Sequence, residues 1–269
     1  MPSRPTLLKA AEFTLRPEVF HFVGVTGDAL ALPLRPVIRG EGQQYGVFTL
    51  VSEYTLDVAF IDENGDSRRL QLIGQARKLA DQLETSVEAI LLGDNIEQQA
   101  RRLIAAGADR VYLGNAPELE VYQPELYTEI AVNLAREHQP DIILMGSTDM
   151  GRELAPLVAA QLKTGLTAHC IDLVLDKEMI LEQRIPAYGG LLSIVCPVRR
   201  PQMATVAKGV FPTLEPDDSR TGETIMIDIP TRLPGRVKTL EIIREEPEGV
   251  PLERASTIVA GGAGAGDRE

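Results

Sequence analysis

"PDIILMGSTDMGRELAPLVAAQL" occupies residues 140–162, and its reading decides the fold. Residues 140–146 form an apolar run ending in glycine, the pattern of a strand buried on both faces. Residues 151–162 read as a helix, and Ser147, Thr148 and Asp149 between them can satisfy the orphaned N–H groups of its first turn. In a parallel sheet the loop at a strand's carboxyl end is where ligands sit, near a reversal of strand order. Ser147, Thr148 and Arg152 are therefore candidates for a nucleotide or phosphate contact. A plain capped helix with Arg152 and Glu153 in solvent is the commoner use of such residues.

Working outward, the same alternation recurs upstream. "YGVFTLV" (45–51) reads as a strand, and "QLIGQARKLADQL" (71–83) as a helix with Leu72, Ala76, Leu79, Ala80 and Leu83 on one face. "SVEAILLG" (86–93) and "DRVYLG" (109–114) read as strands, "IEQQARRLIAAG" (96–107) as a helix. "PELYTEIAVNLAREH" (124–138) is a further helix with Pro124 at its start. Repeated strand–helix units of this length predict a parallel sheet covered on both faces, with right-handed crossovers. After Gly165 the runs "AHCIDLVLD", "MILEQRI", "LLSIVCPV" and "MATVAKGVF" are short and β-like, with no long helix between them. The fold class is α/β: a Rossmann-like parallel-sheet domain with a β-rich second half.

The composition fits. Of 269 residues, 44% are apolar while Trp is absent and aromatics are 4%, so the core is aliphatic. A net charge of −12 argues against nucleic acid or an anionic membrane as partner. Cys170 and Cys196 stand in no C-x-x-C arrangement, which excludes a four-cysteine metal site and suits a reducing compartment. With no secretory signal and no 18-residue apolar run, the expectation is a soluble, cytoplasmic protein without membrane insertion.

Other motifs carry less chemistry. "DENGD" (62–66) has the wrong spacing for a calcium loop and reads as an Asn-Gly hairpin turn. His169 and Cys170 adjoin in a strand, so their side chains point to opposite faces and make no dyad. The three histidines, His21, His138 and His169, have no metal-ligand spacing, and no P-loop or nucleophile elbow occurs. Residues 184–211 gather Gly189-Gly190, Arg199-Arg200 and Lys208 in an otherwise acidic chain, as a segment facing an anionic cofactor or an acidic partner would, or as loops joining short strands. "ASTIVAGGAGAG" (255–266) looks like a strand opening a glycine-rich phosphate loop.

Several of these stretches, in order, resemble the α subunit of electron-transfer flavoproteins, the FixB-like family. They are "LQLIGQARKLADQL", "PDIILMGSTDMGRELAPLVAAQLKTGLTAHCIDL", "RIPAYGG" and "RPQMATVAKGVF". The last two, in tandem, are quite specific, and the likeness runs from about residue 45 to 266. Three departures stand out: His169 where the family usually has Asp, Ala207-Lys208 for Arg-Pro, and Ala263 for the arginine of the glycine loop.

The resemblance implies an adenine-nucleotide-hydrolase-like domain paired with a homologous β subunit. It implies an electron carrier rather than an enzyme, taking electrons from flavin dehydrogenases through FAD, with AMP as a candidate ligand of the partner subunit. On this pattern residues 1–44 are an irregular extension with a short hairpin around Val23 to Leu34, and 45–243 the α/β domain. Residues 244–253 are a linker and 254–269 the start of a FAD domain whose remainder lies past Glu269 in a longer chain. Gly261, Gly262 and Gly264 are the expected flavin contacts. Arg200, Gln202, Thr205 and Lys208 are the expected heterodimer or interdomain face. A non-redox AMP-binding module and a structural subunit lacking flavin are the rival readings.

Overall fold

The computed structural model describes residues 47–52, 71–212, 214–230, 256–262 and 264. The extension 1–44, the turn at 62–66 and the linker 244–253 lie outside them. The chain divides into two compact units between Arg236 and Val237.

In the first unit the expected alternation is present. The strands are β1 (Val47–Ser52), β2 (Val87–Gly93), β3 (Arg110–Asn115) and β4 (Ile142–Gly146). The helices are α1 (Gln71–Leu83), α2 (Glu97–Ala105), α3 (Pro124–His138) and α4 (Asp149–Leu162). In α3, Pro124 fills the first turn, Arg136 and His138 lie in the last, and Gln139 ends it in the left-handed conformation. Strand β2 is buried along its whole length. Its Val87, Ala89 and Leu91 face a core layer built with α1 and α2. Its Ile90 and Leu92 face a second layer built with α3 and α4. Helices thus cover both faces of the sheet.

The second half contributes β5 (Leu166–Cys170), β6 (Asp172–Leu175), β7 (Leu181–Ala187), β8 (Gly190–Val195), β9 (Gln202–Val206) and β10 (Glu223–Met226). They divide between two sheets. β5, β9 and β10 join the first four in a seven-stranded sheet of order β10-β3-β2-β1-β4-β9-β5, parallel at every pairing. β6, β7 and β8 form a three-stranded antiparallel sheet whose Leu173 and Leu181 pack into the α1–α2 core layer.

The stretch "AHCIDLVLD" is therefore two strands, not one. At its middle His169 takes φ +59° and the pairing with β9 shifts between Thr167 and Cys170. That bulge turns the chain out of the large sheet and into the small one.

In the second unit, residues 256–262 form no strand, and Ile258 and Val259 are exposed.

Candidate functional site at the carboxyl edge of the sheet

The strand order runs away from β1 in both directions, through β2 and β3 on one side and β4, β9 and β5 on the other. The carboxyl ends of β1 and β4 therefore flank the reversal, where open α/β sheets place their ligands. The β4–α4 loop lies there.

Thr148 is the N-cap of α4, its Oγ1 accepting from Gly151 N–H at 3.1 Å. A Cβ on Gly151 would stand 1.9 Å from the carbonyl oxygen of Gly146, so the helix start rests directly on the strand end and only glycine fits. Asp149 pairs with Arg152 three residues on, but both are exposed. Such a pair contributes little and leaves the guanidinium at the surface.

Ser147 is buried and its N–H donates to Val206 O at 2.7 Å, fastening the loop to β9. Its Oγ lies 3.0 Å from His169 Nδ1. His169 is exposed, while its backbone N–H donates to Thr205 Oγ1 at 2.9 Å. Ser147, His169 and Thr205 so form one polar cluster drawn from the ends of three adjacent strands. The sequence reading assigns Ser147 and Thr205 to different sites and His169 to none. Their common place depends on β9 lying between β4 and β5.

Cys170 points the other way and is fully buried. Burial pushes its thiol up to about 12, which removes it as a nucleophile near neutral pH. The Ser147–His169 pair offers a hydroxyl and a ring nitrogen for hydrogen bonding to a ligand or a docked surface. Among the described residues no three His, Cys, Asp or Glu side chains are placed to hold a metal, and no helix is long and apolar enough to cross a membrane.

The expected partner face divides in two. Gln202 is buried, its Oε1 accepting Leu181 N–H at 3.1 Å and its Nε2 donating to Leu181 O at 3.3 Å, a staple between the two sheets. Thr205 is turned inward to His169. Arg200 is half-buried, with its Nε 3.3 Å from Asp141 Oδ1 and a long contact to Pro197 O. Lys208 is exposed.

The glycine loop is also exposed. A Cβ on Gly262 or Gly264 would meet no atom within 4 Å, and Gly261 is exposed beside them. These residues alone do not form the close backbone cradle a dinucleotide needs, so they do not fit a flavin by themselves.

Residues 62–231 match the family described as electron transfer flavoprotein domain. The chain is 44% identical over 200 residues to the electron transfer flavoprotein subunit alpha of Thermoanaerobacterium thermosaccharolyticum, covering 73% of this chain and 61% of that protein. It is 43% identical over 206 residues to the protein of the same name from Megasphaera elsdenii, covering 74% and 60%. With the FixB protein of Clostridium saccharobutylicum it shares 41% over 205 residues, covering 74% and 60%. The chain thus spans about three fifths of the length of these relatives. It belongs to the electron transfer flavoprotein family, on its α-subunit, FixB-like side.

Proposed function

We propose that this chain is the α-type subunit of an electron transfer flavoprotein. It pairs with a β-type subunit in the cytoplasm and carries electrons from flavin dehydrogenases through bound FAD. The residues of the first unit do no bond chemistry in this reading. They are the platform on which the pair assembles, while the flavin supplies the redox chemistry when bound. The observation that supports this most is the likeness to α and FixB subunits over 200–206 residues, at 41–44% identity.

Gly261, Gly262 and Gly264 would touch the cofactor only after further surface packs around them. The flavin is therefore held mainly by groups outside the described residues. The Ser147–Thr148–Arg152 loop, at the reversal of strand order, is the place on this chain for an AMP-like nucleotide if it binds one.

The test is co-expression with a β-type subunit. The expected product is a yellow heterodimer by sedimentation that releases FAD on denaturation. A colourless chain that forms no complex, yet binds AMP by calorimetry, would instead make it a nucleotide module.

A further inference from the structure

The chain leaves β9 after Val206 and returns at the far edge of the large sheet, as β10 from Glu223. On the way it touches α1 and then α2. From residue 208 to residue 230 none of the described residues is buried, the longest such run in the first unit. The opposite edge strand, β5, buries Thr167 and Cys170, whereas β10 buries no residue. A long connection without regular structure or buried side chains opens ahead of the core it crosses.

Apolar contacts hold this segment only part way. Val210 and Phe211 are half-buried against the α1–α2 layer, and Ile225, Ile227 and Ile229 against the α3–α4 layer. Leu214 sits over Gly74 of α1, where a Cβ would come 2.9 Å from its Cγ. Glycine inside a helix costs stability relative to alanine, so α1 gives up stability to keep this notch for the crossing chain.

The other fastenings are polar and lie near the surface. Gly209 N–H donates to Gln71 Oε1 at 3.1 Å, and Asp217 N–H to Ala105 O at 2.8 Å. Arg101, on α2, donates to Asp218 O and, at 2.8 Å, to Arg220 O. Arg220 reaches Asp109 at 2.6 Å, and Glu223 reaches Arg110 Nε at 3.5 Å. The side chains of these two ion pairs are all at least 30% exposed, so salt screens both.

The two ends of the segment differ. At the β9 end Gly209 has φ +76° and no atom within 4 Å of where a Cβ would stand, the conformation and freedom of a hinge. At the far end β10 has β3 as its one neighbour in the sheet and pairs with it through Glu223 to Met226. An edge strand of this kind can leave without breaking any other pairing.

We propose that residues 209–230 form a salt-sensitive strap, which opens as one piece about Gly209 and takes β10 off β3 while the other six strands stay paired. Opening bares the edge of β3 and the notch at Gly74, and it lengthens the chain that leads to Val237. The device stands independently of the flavoprotein reading.

Native-state hydrogen exchange on the full chain tests it. The amides of Asp217, Glu223 and Ile227, each bonded to a carbonyl outside the segment, should share one opening equilibrium, at least about a hundredfold more open than that of the β2 amides. Their exchange should rise shallowly with urea, because a strap exposes little surface, while that of β2 rises steeply. Raising NaCl from about 0.05 to about 0.5 M should speed the three amides about threefold or more. Arg101→Ala should speed all three by one common factor, about tenfold. Gly74→Ala, which crowds Leu214, should also speed Ile227, although that residue packs on the other face of the sheet. Glu223 and Ile227 amides as protected as those of β2 overturn the strap. An Arg101→Ala effect confined to residues 217–220, or a Gly74→Ala chain in which Ile227 is unchanged, also overturns it, since the segment would then open in parts. Exchange that does not respond to salt overturns the ionic fastening and the proposal with it.

Discussion

Ser147 Oγ lies 3.0 Å from His169 Nδ1, and that bond joins the end of β4 to the end of β5 across β9, which lies between them. The two residues are 22 apart in sequence, so the bond closes a long connection. His169 also stands at φ +59° with its N–H held by Thr205. Removing either partner of such a bond typically costs about 0.5–1.5 kcal/mol. Ser147→Ala and His169→Ala should each lower stability by about 1 kcal/mol in urea unfolding, and the double variant should lose less than the sum. His169→Asn should recover part of the loss, because asparagine tolerates the left-handed conformation and can reach the hydroxyl. Additive losses would mean that the two side chains do not interact in solution.

Gly151 sets a stricter limit. Its position 1.9 Å, in projected Cβ, from Gly146 O leaves no relaxation confined to a side chain. Both groups are backbone, so any added carbon must lift α4 away from β4. Gly151→Ala should destabilise by about 3 kcal/mol or more, against a helix-propensity gain of about 1 kcal/mol. The readout is soluble yield and thermal midpoint. A variant that melts like wild type would show that α4 does not sit this close to the strand.

The helices were legible because amphipathic spacing and end signals coincide: α1 and α3 span 71–83 and 124–138, as their patterns predict. The site was not legible to the same degree, for a physical reason. β9 is buried at every position, and a strand buried on both faces has the same apolar texture wherever it lies in a sheet. Its place between β4 and β5 is what assembles Ser147, His169 and Thr205. Gln202 shows a related ambiguity. A glutamine beside Arg199-Arg200 reads as surface, but its amide matches both backbone groups of Leu181 and serves the interior equally well.

Asp109 holds three segments together. Its Oδ2 accepts Val87 N–H at 2.8 Å and Arg77 at 2.6 Å, and its Oδ1 accepts Arg220 at 2.6 Å. Burial by itself would raise this carboxyl, but the Val87 N–H and the two guanidiniums outweigh it and hold the group below its ordinary value. A carboxyl lowered on folding adds stability that is complete above the unfolded value, about 3.9. That stability is lost as pH falls through the folded one. The wild-type chain should therefore lose stability on acidification below about pH 4, and Asp109→Asn should flatten that part of the curve. At neutral pH the same variant should cost about 1–2 kcal/mol, since charged hydrogen bonds at a partly exposed site fall toward the lower end of their range. Parallel curves for the two proteins between pH 5 and pH 2 would remove Asp109 as a source of acid sensitivity.

Gln183 is the counterpart of Gln202 in the small sheet, with the opposite energetics. It is 0% exposed on β7, and among the described residues neither its Oε1 nor its Nε2 has a hydrogen-bond partner. Gln75 uses its amide to hold the backbone of Leu173, the residue paired with Gln183 on β6, and Gln202 holds that of Leu181, two residues earlier on β7. A buried amide left unmatched costs about 1–3 kcal/mol, while its methylenes still contribute packing. Methionine keeps the length and flexibility of the side chain and removes the polar atoms. Gln183→Met should therefore raise stability in urea unfolding by about 1 kcal/mol, whereas Gln183→Ala should lower it by opening a cavity in the layer that Leu173 and Leu181 fill. The sign of the methionine variant decides the matter. A loss instead of a gain would mean that the amide is matched in solution and that this sheet, like the bond at Gln202, is held by its glutamines.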